Sequence, residues 1–190
     1  FATINYVVIS HPHEDHIGGC PVELFKLRPT KIYDNGKIAD TQTYRDYAMS
    51  WSNNHEAIGQ DKPFEFDLIA ANLIIPYDDG QGFSSNENDN SVLVRLQYSN
   101  ISFLFTGDCE SDCEDRVINS DVSANVLKVG HHGSKTSSSV LFLNAVKPSM
   151  AVISSGAGNQ YGHPHAETLE KLNQRAVQIY RTDQDGTVVI

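Results

Sequence analysis

The sequence predicts an α/β layered domain, and three observations predict it. Short β-branched apolar runs recur along the whole chain, stretches with three-and-four apolar spacing separate several of them, and polar segments rich in glycine end the runs. The chain has 190 residues, about two-fifths of them apolar, which is enough for one domain with its own core and too little for two comfortable ones. A single domain over residues 1–190 is expected.

Phe1 to Ser10 runs straight into an apolar strand at Tyr6 to Ile9 with no polar leader or helix cap before it. The chain therefore reads as entered mid-fold, N-terminally incomplete, with its first sheet lacking strands. Gly18-Gly19 punctuates a turn, Val22 to Leu27 reads as a short amphipathic helix stopped by Arg28-Pro29, and Lys31 to Tyr33 as a second strand. From Thr41 to about Gly59, the spacing of Tyr44, Tyr47, Ala48, Trp51, His55 and Ile58 predicts one helix with an aromatic face. That stripe is read as packing, and His55 on it has no companion at ligand spacing.

Asp67 to Ile75 is a further strand, and Pro76 to Asn90, dominated by Gly, Ser, Asn and Asp, is a loop of the kind that borders active sites. Val92 to Leu96 and Ile101 to Phe105 form a hairpin turning at Ser99-Asn100, which delivers the chain to Thr106-Gly107-Asp108 and a helix over Cys109 to Ile118. Asn125 to Val129 is a strand ending at Gly130-His131-His132-Gly133-Ser134, and Met150 to Ile153 one ending at Ser154 to Gly158. Gly162-His163-Pro164-His165 leads into a helix from about Ala166 to Arg175, and Val177 to Tyr180 and Thr187 to Ile190 close the chain as strands.

Composition narrows the function. Fourteen lysines and arginines stand against 24 acids, a formal charge of −10, which argues against a protein that grips nucleic acid over a broad basic face. A narrow local site is still compatible. Cys20, Cys109 and Cys113 cannot all pair within the chain and form no C-x-x-C motif, so they are expected to be ordinary buried or helical thiols. No apolar run approaches the roughly 20 residues of a membrane span, and no signal-peptide pattern opens the chain. The segment is expected to be soluble and to make no membrane contact of its own.

The chemistry gathers at strand ends. His11 and His13, one residue apart in an extended segment, point to the same side, and Asp15 and His16 follow in the next turn. Four imidazole and carboxylate donors within six residues can supply two adjacent cations, and such ligands suit Zn²⁺, Mn²⁺ or Fe²⁺. A chance surface cluster or a tag is the bland alternative, but a tag would be a run at a terminus, and these residues follow a buried strand. Asp108, just past another strand, is placed to bridge two cations, although alone it would equally serve as a helix N-cap.

His131 and His132 end a third strand. If strand alternation holds, one of them faces the metal, with His131 the choice and His132 left to substrate. Ser134 and Lys135 lie in a polar turn able to approach a phosphate, and His163 is placed to donate to substrate or protonate a leaving group. His165 is read as supporting or solvated.

These motifs resemble the metallo-β-lactamase superfamily. His11-Pro-His-Glu-Asp-His16 is similar to its HxHxDH signature. The order of NDNSVLVRL, FLFTGD, LKVGHHGSKTSSS, AVISSGAGNQYGHPH and YRTDQDGTVVI resembles the C-terminal hydrolase domain of the ComEC competence DNA-uptake family and its stand-alone relatives, over nearly the whole chain. The resemblance implies an αββα sandwich and two divalent metal ions, Zn or Mn, held by His11, His13, Asp15, His16, Asp108 and His131. Two departures stand out. Where many members carry another histidine ligand, this chain offers Asn86, Glu87, Asn88, Asp89, Asn90 and Ser91, and the Gly-Gln-Gly-Asp-like turn of relatives would fall ahead of Phe1.

The expected activity is metal-dependent hydrolysis with Asp15, Asp108 and His163 as catalytic residues and His132, Ser134, Lys135 and His163 contacting substrate. Two cations would bring the pKa of a shared water to about 7. Single-stranded DNA is the substrate the resemblance suggests, and two lysines with a run of hydroxyls between Lys128 and Ser139 agree with it. A small ester, lactone or phosphoester is the second reading, and a non-catalytic metal-binding or interaction domain the third.

Overall fold

The computed structural model describes residues 4–51, 53–77, 80 and 82–190. Residues 1–3 of the N-terminal run, Ser52 of the expected helix, and Asp78, Asp79 and Gln81 of the expected loop lie outside these.

The chain opens with β1 (Tyr6–Val8), α1 (Glu14–Ile17), α2 (Cys20–Leu27), β2 (Lys31–Asp34), α3 (Gln42–Met49) and β3 (His55–Ala57). The three strands form a parallel sheet in the order β1-β2-β3. The second unit comprises β4 (Lys62–Phe66), β5 (Ile69–Ile74), β6 (Leu93–Tyr98), β7 (Ile101–Phe105), α4 (Ser111–Val117), β8 (Val126–Lys128), α5 (Val140–Val146), β9 (Met150–Ile153), α6 (Ala166–Asn173), β10 (Gln178–Arg181) and α7 (Thr182–Asp185). Its seven strands run β10-β9-β8-β7-β6-β5-β4, antiparallel from β4 to β7 and parallel from β7 to β10.

Alternation along the strands sorts side chains into layers. Leu93, Leu104, Leu127, Ala151 and Ile153 face Cys113, Val117, Phe142, Leu143 and Leu172 of α4, α5 and α6. Leu73, Val92 and Val94 on the opposite face pack with Tyr6, Val8 and Tyr33 of the small sheet. Ile9, Ile17, Leu24, Ile32, Tyr44 and Tyr47 join the small sheet to α1, α2 and α3. The result is helix, sheet, sheet, helix: the αββα sandwich.

Several elements differ from expectation. The helix predicted over Thr41 to Gly59 ends at Met49, capped at its start by Thr41 Oγ1 accepting from Tyr44 N. Asn53 and Asn54 favour turns over helix interiors, and the chain re-enters as β3. The aromatic spacing still marks one core, because Trp51 packs on Tyr47 and His55 stacks on Trp51 with ring centroids 3.6 Å apart. Thr187 to Ile190 forms no strand; Val188 and Ile190 instead line an apolar cavity of about 310 Å³ with Phe103, Phe105, Val126 and Val152.

The cysteines correct a second expectation. Cys109 and Cys113 form a disulfide with Cα atoms 5.3 Å apart, since the chain turns into α4 between them and brings residues four apart together; Cys20 is free. Among the described residues no helix is long and apolar enough to cross a membrane.

Candidate metal centre

The site forms where the ends of β1, β7, β8 and β9 meet. Beyond β1 the chain stays extended and is pinned between the sheets, Ile9 N donating to Tyr33 O and Ser10 O accepting from Val92 N, each at 2.8 Å. That fixes His11, which is fully buried. His13 occupies the N-cap position of α1 without a side-chain capping bond, and Asp15 and His16 lie within that short helix.

Gly107 explains how Asp108 reaches these residues. It holds φ +54°, and a Cβ there would fall 2.6 Å from Ser10 Cβ, so only glycine lets the end of β7 close on the histidine segment. Asp108 is 4 % exposed, and its N–H donates to Ser91 Oγ at 3.1 Å.

Hydroxyls orient the imidazoles. Ser10 Oγ lies 3.1 Å from His11 Nδ1 and 3.3 Å from His16 Nδ1, and Ser91 Oγ lies 3.4 Å from His11 Nδ1. The ε nitrogens are thereby left for the site: His11 Nε2 is 3.0 Å from His13 Nδ1, and His16 Nε2 is 3.3 Å from Asp108 Oδ2 and 3.5 Å from Asp15 Oδ2.

Strand alternation does not separate His131 from His132, because the backbone there is no strand. Both residues adopt left-handed conformations, φ +46° and +54°, in a tight turn after β8, a costly geometry that collects at functional sites. Both rings approach Asp108, His131 Nε2 at 3.8 Å and His132 Nε2 at 3.9 Å. His131 Nδ1 is held by Glu110 Oε1 at 2.7 Å, and His132 Nδ1 lies 2.8 Å from Ser154 O, which it meets as a donor. His132 Nε2 is also 3.4 Å from Asp15.

Asp15, His16, Asp108 and His132 each present one ligand atom within 4.8 Å of the others. The donors fit a divalent cation on an observation of their own. His16 Nε2 and His132 Nε2 both turn toward carboxylate oxygens, 3.3 Å from Asp108 and 3.4 Å from Asp15, and His132 has its Nδ1–H committed to Ser154 O. Acceptor facing acceptor is unfavourable unless a cation or proton lies between them.

Electrostatics agree. Burial, reinforced by His16, pushes His11 down to about 3, which keeps it a neutral donor. Burial also opposes a charge on His16, but Asp108 outweighs it and raises that pKa. Burial alone would raise the Asp108 carboxyl, yet His16 beside it holds it well below the usual carboxylate range. His163 is lowered by burial and then by His131 and His165.

A cavity of about 460 Å³ opens on the cluster, lined by His13, Asp15, Asp108, His131, His132 and His163 of the expected residues, by Asn88 of the 86–91 stretch that stands in place of a further histidine, and by Glu14 and Tyr161, which the sequence reading passed over. Ser134 and Lys135 do not line it. Ser134 is buried with Oγ against Thr136 Oγ1, and Lys135 is exposed, its backbone N–H donating to His165 Nδ1. Ser10, Ser91 and Glu110 were also missed as orienting residues. Ser10, adjoining the histidines, and Ser91, closing the 86–91 stretch, carried a positional signal, and Glu110 carried none.

Comparison with known proteins places these observations in a family. Residues 2–156 match the model of the Metallo-beta-lactamase superfamily. ComE operon protein 3 of Bacillus subtilis is 28% identical over 97% of this chain and 24% of its own length, and Competence protein ComA of Neisseria gonorrhoeae is 28% identical over 97% and 25%. The chain thus spans about a quarter of the curated relatives it matches. Among solved structures, the metallo-beta-lactamase fold protein YhfI from Bacillus subtilis superposes with a TM-score of 0.55 at 12% identity, covering 93% of this chain and 73% of that one.

Proposed function

Because the chain belongs to the metallo-beta-lactamase superfamily, whose members are typically metal-dependent hydrolases, we propose that it is a phosphodiesterase acting on single-stranded DNA. The observation that carries the hydrolytic part is the convergence of Asp15, His16, Asp108 and His132 beside the His11–His13 pair. The competence-protein relatives support DNA as the substrate.

His11, His13, Asp15, His16 and Asp108 would hold two divalent cations, Zn²⁺ or Mn²⁺, with ligands from the His131–His132 turn. Bound there, such cations supply Lewis acidity and a water ionisable near neutral pH. The chain's own residues do the rest. Ser10 and Ser154 fix which nitrogen of His16 and His132 faces inward. Asp108, ionised even in acid, carries negative charge to the centre of the site. His163, kept neutral by burial, offers an N–H to a non-bridging phosphate oxygen or a lone pair to a proton released in attack. Ser134 N–H donates to His131 O at 2.8 Å and so ties the His131–His132 turn, while Lys135 N–H donates to His165.

A small-molecule hydrolase is the second reading, favoured by the −10 net charge and by a cavity of about 460 Å³, a size that suits a compact ligand. Salt separates the two. Cleavage of single-stranded DNA should fall steeply between about 50 and 200 mM salt, as phosphate contacts require, whereas hydrolysis of a small neutral ester should barely change. Salt-independent cleavage limited to small esters would overturn the nuclease reading. Asp15→Ala and Asp108→Ala should each abolish turnover of bis(p-nitrophenyl) phosphate while keeping the fold. A metal-replete wild type without any turnover would leave a non-catalytic metal-binding domain. The Cys109–Cys113 disulfide supports work in an oxidising compartment.

A further inference from the structure

Asn88 opens a short 3₁₀ turn, Asn88–Asn90, between β5 and β6. Its side chain is about nine-tenths buried and lines the cavity with His13, Asp108 and His131. Its amide nitrogen donates to Glu110 Oε1 at 3.1 Å, which fixes the carboxamide and leaves Oδ1 on the side away from Glu110. That oxygen is buried and has no hydrogen-bond partner among the described residues. Buried carbonyls are almost always satisfied, so one left open at the wall of a donor-lined cavity points to a ligand.

Glu110 treats His131 in the same way, engaging Nδ1 at 2.7 Å and leaving Nε2 toward Asp108. One carboxylate therefore orients both an amide oxygen and an imidazole. The donors on this side are also unevenly shared. Asp15, His16, Asp108 and His132 form a group of four, whereas among the described residues His11 Nε2 and His13 Nδ1 belong to no such group, and catalytic cation sites generally have three protein ligands.

We propose that Asn88 Oδ1 is the oxygen ligand completing the cation position of His11 and His13, with Glu110 as the residue that positions it. This rests on the metal-centre reading above and not on which ester is cleaved. A carboxamide oxygen is harder than imidazole, so that position favours Mn²⁺ more than a three-histidine site would.

The test is Mn²⁺ and Zn²⁺ binding to the full chain by calorimetry and metal analysis, in wild type, Asn88→Ala and Asn88→His. Wild type should take up two Mn²⁺. Asn88→Ala should weaken one of them by about tenfold to a hundredfold and spare the other, and Asn88→His should restore the position with a shift in preference toward Zn²⁺. Unchanged Mn²⁺ affinities in Asn88→Ala would overturn the assignment. Infrared difference spectra of wild type carrying ¹³C-labelled asparagine need no variant to fold: Mn²⁺ should shift an asparagine carbonyl band, and the absence of any shift overturns the proposal. Mn²⁺ binding through Asn88 without diester turnover would sink the functional reading alone. Turnover with Mn²⁺ binding indifferent to Asn88 would sink this one alone.

Discussion

Asp108 and His16 form, in protein stripped of metal, a buried acid–base pair 3.3 Å apart. His16 has a raised pKa, so the stability it contributes is fully present below its unfolded value of about 6.5 and is lost as pH rises through the folded value. Asp108 is lowered, so its contribution is present above about 3.9 and is lost as pH falls through the folded value. Both act together between those limits. In chelator-treated protein, Asp108→Asn should therefore cost more stability near about pH 5.5 than near about pH 8, on the order of a few kcal/mol at the lower pH. Urea unfolding at the two pH values measures it, and equal costs would show that the pair does not form. At this scale the sequence was readable where ligands are neighbours along the chain. His11 to His16 announce themselves by spacing, whereas Asn88, Ser91 and Glu110 reach the centre only through tertiary contacts. The two histidines after β8 defeated the alternation rule because their backbone is left-handed.

Among the elements, α4 ties together three segments that neighbour the site. It begins at the disulfide, Cys113 N donates to Asp89 Oδ1, and Glu114 accepts from the backbone N–H of Ser138 and Ser139. The disulfide closes a very short loop, so reducing it should cost about 2 kcal/mol, read as a lower urea midpoint with an unchanged slope. Loss of the fold on reduction would instead give it a far larger role. Helix α5 starts at Ser139, whose Oγ accepts from Phe142 N, and Ser139→Ala should cost about 1 kcal/mol in the same assay. Most strands were legible from β-branched runs and their punctuation. The boundary of α3 was not, because the aromatic periodicity continues past Met49 into a segment that packs on the same core from β3.

The whole molecule is a four-layer sandwich whose larger sheet offers one face to α4, α5 and α6 and the other, on its β5–β6 side, to the smaller sheet. The residues proposed as cation ligands stand on loops and on the short helix α1 at the ends of both sheets, so their geometry depends on the two sheets staying in register. Gly107, with no room for a Cβ beside Ser10, is one close point of that contact. The layered class was readable from the alternation of strands and helices, but the pairing of three strands against seven was not, since nothing local records which face meets which. The central claim is that these loops assemble a hydrolytic metal centre. Turnover of bis(p-nitrophenyl) phosphate should be absent after chelation, return on titration with Mn²⁺ or Zn²⁺ in step with metal uptake, and stay absent in Asp108→Ala at every metal concentration. Turnover that survives chelation, or that returns in Asp108→Ala as in wild type, would contradict it.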